Sequence, residues 1–426
     1  MARAMKDSGI EWIGEIPEGW HLSRIKYVAD FEPKCDFSNL SADETITYTP
    51  MENIKNGYYI PNTAPLGTLS TSLTAYQDND IVMAKVTPCF ENGNIAVMSG
   101  LSSGVGLGSS ELFVFRAKEM QTQYLFYWLQ NKAFVEQAKS TMTGTGGLKR
   151  VSPQFVRDCA IHCPPPDEQS RISIFLDAEC TRIDAVIEQT RASIEEYKKL
   201  KQSVITQAVT KGIRPGRKMK DSGVEWIDSI PEEWSMERGK GLFIEVDNRS
   251  EDGTEELLTV SQYTGITPRS QKNVNMFEAE TLEGYKICEV GDIAANTMWL
   301  WAGAIGVSKY RGVISPSYNI YRQKNSCFDL TYLDFLLRAA PLVQHYESLS
   351  TGIRASRLRL YPQQFLSIRY PVPPMNEQKE IVSFLKEKID GMDLLIQKKE
   401  QYLAEIESYK KSMIFEYVTG KKEVCQ

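Results

Sequence analysis

Few residues in this 426-residue chain stand at spacings that chemistry would require. Pro166-Asp167 and Glu196-Tyr197-Lys198 together spell the carboxylate and lysine set of a magnesium-dependent nuclease. The residues between them include neither Pro nor Gly and read as one helix, so the 29 positions from Asp167 to Glu196 hold the carboxylates roughly 43 Å apart. Ligands of one magnesium ion must each approach it to about 2.1 Å, which excludes the pair. Cys159, His162 and Cys163 offer three ligands but lack the second pair that tetrahedral zinc needs, and they read as a strand with buried thiols. His21 and His345 have no Ser/Asp or Cys partners in sequence. Gly104-Val105-Gly106-Leu107-Gly108 lacks the acidic residue of a dinucleotide site, and Gly144 to Lys149 is no Walker loop because no Gly-Lys-Ser/Thr follows. The chain therefore reads as a non-enzyme, with no metal site and no cofactor of its own.

What remains is local charge. The chain carries 49 Lys+Arg against 55 Asp+Glu, a formal charge of −6, which at first sight counts against a nucleic-acid partner. That average conceals basic segments. Over residues 338–369 the charged groups are Arg338, Arg354, Arg357, Arg359 and Arg369 against Glu347 alone. A weaker counterpart sets Lys139, Lys149, Arg150 and Arg157 against Glu136 and Asp158. Apart from Lys139 and Arg338, the basic residues of both clusters follow a Thr-Gly pair, Thr143-Gly144 and Thr351-Gly352. In such small-residue loops, backbone N–H groups and basic side chains reach phosphates closely.

These clusters correspond because the chain is written twice. MKDSGIEWIGEIPEGW (5–20) returns as MKDSGVEWIDSIPEEW (219–234). The match continues through Asp80-Ile81-Val82 with Asp292-Ile293-Ala294, SSELFVFR (109–116) with SPSYNIYR (315–322), and PPPDEQSRI (164–172) with VPPMNEQKEI (372–381). A repeat of this length implies two tandem halves.

Each half has two parts. The first mixes short alternating runs with Gly, Pro, Asn and Ser punctuation and one helix-like stretch, YLFYWLQNKAFVEQA (124–138), and reads as an α+β domain. The second follows a proline cluster and carries an apolar seam at alternating three and four spacing. In copy one the seam is Leu176, Ile183, Ile187, Ile194, Tyr197, Val204 and Ala208; in copy two it is Leu385, Ile389, Met392, Ile396, Leu403, Ile406, Met413 and Tyr417. Thr190, Lys201, Lys399 and Lys410 interrupt it. Helices of roughly 60 Å follow, and an amphipathic helix of that length must bury its stripe against another. An antiparallel coiled coil would set the two domains at its opposite ends with pseudo-twofold symmetry. The expected division is domain one over 1–163, helix one over 164–212, domain two over 213–372 and helix two over 373–426.

Between matching strands the copies diverge most: VTPCFENG (86–93) faces TMWLWAG (297–303), with Lys85 before the first and Arg311 after the second. A shared frame with different loops suggests two readers of different targets. Trp299 and Trp301 either touch bases or fill core, while Trp12, Trp20, Trp226 and Trp234, fixed in the repeat, read as packing anchors. No run of about 18 apolar residues occurs, and eight scattered Cys form no framework, so a chain that is neither secreted nor membrane-spanning, with reduced thiols in a cytoplasm, is expected.

Taken together, the KDSG-[IV]-EW opening of each half, the Pro-Pro and Glu-Gln pairs before each long helix (Glu168-Gln169, Glu377-Gln378) and the alternation of domain and helix resemble the specificity subunit of type I restriction-modification systems along essentially the whole chain. The resemblance implies two target-recognition domains, each reading half of a bipartite double-stranded DNA site, held apart by the coiled coil. It implies two modification subunits docked on the helices and two restriction subunits, with S-adenosylmethionine, ATP and Mg²⁺ on those partners. The expected DNA contacts are Lys85, Thr143, Gly144, Lys149 and Arg150 in copy one, and Trp299, Arg311, Arg354, Ser356, Arg357 and Arg359 in copy two. The competing reading is a protein scaffold that reads no DNA, which would explain the acidity and the helices but not the twin basic loops.

Overall fold

A computed structural model of the chain describes residues 3–145, 147–272, 281–352 and 358–424. Its contacts divide into two units, Met1–Arg191 with Gln401–Gln426 and Ala192–Glu400, so each contains a globular domain and part of both long helices.

In the first unit an antiparallel sheet runs in the order Ala29–Phe31, Leu112–Ala117, Ile81–Ala84, Ile95–Val97. Side chains alternate across it. Phe113, Phe115, Ile81 and Met83 enter the main core, whereas Leu112, Val114 and Val82 face a second core with Tyr76. Burial on both faces explains why the run Leu112-Phe113-Val114-Phe115 is continuously apolar. Tyr76 belongs to a second four-stranded sheet, Asn62–Pro65, Thr45–Thr49, Val105–Gly108 and Thr74–Gln77.

The second unit repeats the first sheet in the same order with Phe243–Val246, Asn319–Gln323, Ile293–Ala295 and Ile305–Val307. Its second layer differs. Among the described residues it consists of the pairs Leu258–Ser261 with Gly265–Pro268 and Lys286–Cys288 with Gly312–Ile314. One corner is fixed identically in both units, where Arg116 grips buried Asp80 with two bonds of 2.8 Å and Arg322 grips Asp292 at 2.6 and 2.7 Å. Each carboxylate also accepts a backbone N–H, from Gln77 and Glu289, which offsets the cost of burying it.

The helix-like stretch after the sheet is two helices, Thr122–Trp128 and Lys132–Ser140. Asn131 separates them, accepting from the Phe134 N–H at 3.0 Å and donating to the Trp128 carbonyl. A capping asparagine competes with the helix it interrupts.

The repeated opening folds as a hairpin, Met5–Asp7 with Glu15–Pro17 and Met219–Val224 with Ile227–Pro231. Its turn needs the KDSG letters: Asp7 and Asp221 accept the N–H groups of Gly9 and Gly223, whose φ of 72° and 69° favours glycine, and Lys6 and Lys220 donate to the carbonyls of Glu18 and Glu232. The hairpin leads to a buried tryptophan that locks onto the root of a long helix. Trp20 Nε1 donates to Glu168 at 2.8 Å and Trp234 Nε1 to Glu377 at 3.0 Å; Arg3 and Arg217 pair with the same carboxylates. Beside them Gln169 takes the Gln121 N–H and gives its amide to the Pro164 carbonyl, and Gln378 does the same with Asp329 and Pro373.

The long helices are Pro166–Lys211 and Met375–Val418. In the first unit the ring of Phe175 meets that of Tyr417 at 4.4 Å, Asp184 meets Lys410 and Arg191 meets Glu407. In the second, Tyr197 meets Lys399, Lys201 meets Asp393 and Arg214, just past the helix, meets Glu380. Numbers rise along one helix as they fall along the other, so the pairing in each unit is antiparallel. Every seam residue is buried or half-buried, and the interrupting lysines sit against an acid or a ring of the facing helix.

Glu377→Gln keeps the shape of the helix root but removes the buried charge facing Arg217, leaving that guanidinium only the exposed Glu233, and is expected to cost about 2 kcal/mol of stability in urea unfolding. Glu380→Gln, at an exposed pair, should change little; equal losses would show that the root is not special.

Candidate nucleic-acid interface

In the first unit the loop after Thr143 closes on itself, because Thr143 and Arg150 exchange both backbone hydrogen bonds at 3.0 and 2.8 Å. It is then stitched to the strand leaving the sheet. Thr87 N–H donates to the Lys149 carbonyl, Lys149 N–H to Thr87 Oγ1, Thr87 Oγ1 to the Gly147 carbonyl and Val151 N–H to the Lys85 carbonyl. The basic loop and the divergent 86–93 loop thus form one surface. Lys85, Thr143, Gly144, Lys149 and Arg150 all lie on these two segments, with Lys149 exposed and the Lys85 ammonium 5.6 Å from the Phe113 ring.

Sequence reasoning missed Glu111. Its carboxylate binds Arg150 through three contacts of 2.6 to 3.1 Å, and the guanidinium holds the Glu111 carboxyl below the usual carboxylate range. Arg150 is exposed, but its charge is already answered inside the protein. Glu111 heads the repeated SSELFVFR strand, where the second copy has Ser317, so the comparison of copies contained the signal.

In the second unit Thr351 and Arg359 exchange backbone hydrogen bonds at 3.0 and 2.9 Å, as Thr143 and Arg150 do. Arg354, Ser356 and Arg357 lie outside the described residues. Trp299 is 50% exposed and stacks on Trp301 at 5.7 Å, in a loop that packs on helix Ala340–Leu349, which leads into the Thr351 segment. Arg311 is elsewhere. It follows the strand Ile305–Val307 and pairs with Glu289, at the end of the hairpin opposite to Trp299. Arg338 is a strut, because it pairs with Asp334 and donates to the carbonyls of Gln262 and Tyr263. Trp20 and Trp234 are 1% exposed and serve as anchors.

Cys159 precedes and Cys163 ends the strand Ala160–Cys163, which pairs with His21–Arg24, and burial pushes their thiols up to about 12 and about 11. His162 Nδ1 accepts from Trp128 Nε1 at 2.9 Å, so this histidine is a packing group. Among the described residues no cluster of His, Cys, Asp or Glu is placed to hold a metal, and no helix is long and apolar enough to cross a membrane.

Two related domains of mixed helix and sheet, each rooted on long helices and each presenting a Thr-Gly loop near a divergent one, define a duplicated tandem-domain class. Residues 17–196 match the family described as type I restriction modification DNA specificity domain. It is 30% identical over 196 residues to the EcoEI specificity subunit of Escherichia coli, a match covering 45% of this chain, and spans only 33% of that relative's length. It is 24% identical over 441 residues to the MjaVIII specificity subunit of Methanocaldococcus jannaschii, covering 96% of this chain and 94% of that one. A chain from a structure of the assembly and conformational transition of a type I R-M system shares the fold with a TM-score of 0.70 at 15% identity, covering 96% and 99% of the two chains. The HsdS subunit of Thermoanaerobacter tengcongensis gives 0.51 at 18% identity over 96% and 98%.

Burial, and then the charge of Lys421, push His162 down to about 4, whereas an unfolded histidine titrates near about 6.5. Between these values the unfolded chain binds a proton that the folded chain refuses. The contribution to stability is therefore full above about pH 6.5 and is lost as pH falls toward 4. His162→Asn, whose Oδ1 can keep the Trp128 bond, is expected to flatten this part of the stability curve; an unchanged acid slope would contradict the assignment.

Proposed function

We propose that the chain reads a bipartite asymmetric DNA sequence for a type I restriction-modification complex, with the domain over 1–163 reading one half and the domain over 213–372 the other. The segments 164–212 and 373–426 act as an antiparallel, pseudo-twofold coiled coil that sets the spacing of the half-sites and docks two modification subunits. Two restriction subunits complete the assembly, and S-adenosylmethionine, ATP and Mg²⁺ reside on the partners. The observation that supports this reading is the closed Thr-Gly loop held against the divergent loop in the first unit, where exposed Lys149 lies beside residues that differ between the copies. Half-sites about 34 Å apart lie on one face of the duplex and suit two readers joined by a rod. Methylated adenines mapped across a genome, after co-expression with a modification subunit, should fall in one bipartite motif. A continuous palindrome, or no methylation, defeats the reading, and no DNA binding at all favours the scaffold.

Within this function Lys149 acts on phosphate and Glu111 restrains Arg150. Lys149→Ala in the assembled complex should weaken binding evenly across sequences and lower the salt slope by about one. Glu111→Gln should release Arg150, tighten binding several-fold and steepen the slope. A change of preference at a single base with Lys149→Ala would contradict its phosphate role.

A further inference from the structure

Equivalent positions of the two long helices lie 209 apart, as Glu168 and Glu377 show. On that register, some cross-helix contacts are the same contact made twice. Asp184 binds Lys410 at 2.6 Å in the first unit, and their counterparts Asp393 and Lys201 bind at 2.6 Å in the second. Tyr124 donates to the Val418 carbonyl at 2.9 Å, and Tyr332 to that of Val209 at 3.0 Å. Such contacts are blind to which helix is which. Two first helices would keep Asp184 against Lys201, and two second helices Asp393 against Lys410.

A neighbouring set is not blind. Arg191 binds Glu407 at 2.8 Å in the first unit. Their counterparts are Glu400 and Lys198, and in the second unit Lys198, bonded to Glu195 at 2.9 Å, also feels the charge of Glu400. The first helix is thus basic at both positions and the second acidic at both. Two first helices would set Arg191 against Lys198, and two second helices Glu400 against Glu407. The adjacent position agrees: the Lys399 ammonium lies 5.7 Å from the Tyr197 ring, whereas in a pair of second helices Lys399 would face Ile406.

We propose that Arg191, Lys198, Glu400 and Glu407 form a pairing code, by which the seam accepts the unlike helix of the repeat and rejects a second copy of the same helix. A duplicated chain needs such a device because contacts such as Asp184–Lys410 and Asp393–Lys201 suit like and unlike pairings equally, and at these positions specificity comes from repulsion in the wrong pair. The inference rests on the helices alone and is independent of DNA reading.

The test removes the covalent link after folding. A protease site is placed at Pro215-Gly216, the folded full chain is cut, and the nicked protein is mixed with an isotope-labelled copy in enough urea for fragments to exchange. Native mass spectrometry then counts one-to-one complexes and fragment homodimers. The parent should remain one-to-one. Lys198→Glu with Glu407→Lys makes like pairs attractive and unlike pairs repulsive, and should move the distribution toward homodimers on the order of a hundredfold. Adding Arg191→Glu and Glu400→Lys restores complementarity and should return the parent distribution, and high salt should narrow all differences. Glu400→Gln with Glu407→Gln adds no repulsion within the chain and should move it part-way, which keeps the test decisive if the first variant folds poorly. A parent-like distribution in the charge-exchanged and neutral variants, or homodimers from the fourfold variant, would overturn the code.

Discussion

One carboxylate at the root of each long helix organises the half to which it belongs. Glu168 and Glu377 each accept from a hairpin tryptophan and an arginine, while the next residue, Gln169 or Gln378, holds a proline carbonyl and the backbone ahead of a domain helix. A carboxylate taken from water is costly unless its lone pairs are filled, and here indole and guanidinium fill them. The bond set makes the domain and the helix one cooperative body, because neither partner can leave without stranding a buried charge. In both units the core accordingly runs from the sheet into the helix stems, from Phe113 through Tyr124 to Leu176 and from Tyr321 through Tyr332 to Leu385.

On that fixed root the fold separates what is held constant from what varies. The Asp–Arg corner, the sheet order and the closed Thr-Gly loop recur, whereas the 86–93 and 297–303 loops and the second layer differ. Charge is handled in the same way. Within a chain of formal charge −6, basic groups near the candidate loops are answered by acids at close range, Arg150 by Glu111 and Arg311 by Glu289.

Much of the architecture was legible in the sequence because repeats and periodicity are local signals. The long helices follow from the apolar seam and the absence of Pro and internal Gly in the first copy, and the two halves from the repeated opening. The break at Asn131 was hidden because its capping bond competes with apolar periodicity that reads as helix. The interface was only partly legible. Lys85, Lys149 and Arg150 come together through Thr87, a link that depends on a contact 62 positions away. The separation of Arg311 from Trp299 was hidden because a strand reverses the chain between them, and the strut role of Arg338 depends on two carbonyls 75 and 76 residues distant.

Under the proposed function, each divergent loop reads its own half-site from a common frame. The most direct measurement is the methylated motif produced when residues 297–303 are exchanged for the corresponding loop of a relative, with Arg359 and the helices untouched. One half of the motif should change while the other half and the spacer length stay. Simultaneous change of both halves, or of the spacer, would contradict it.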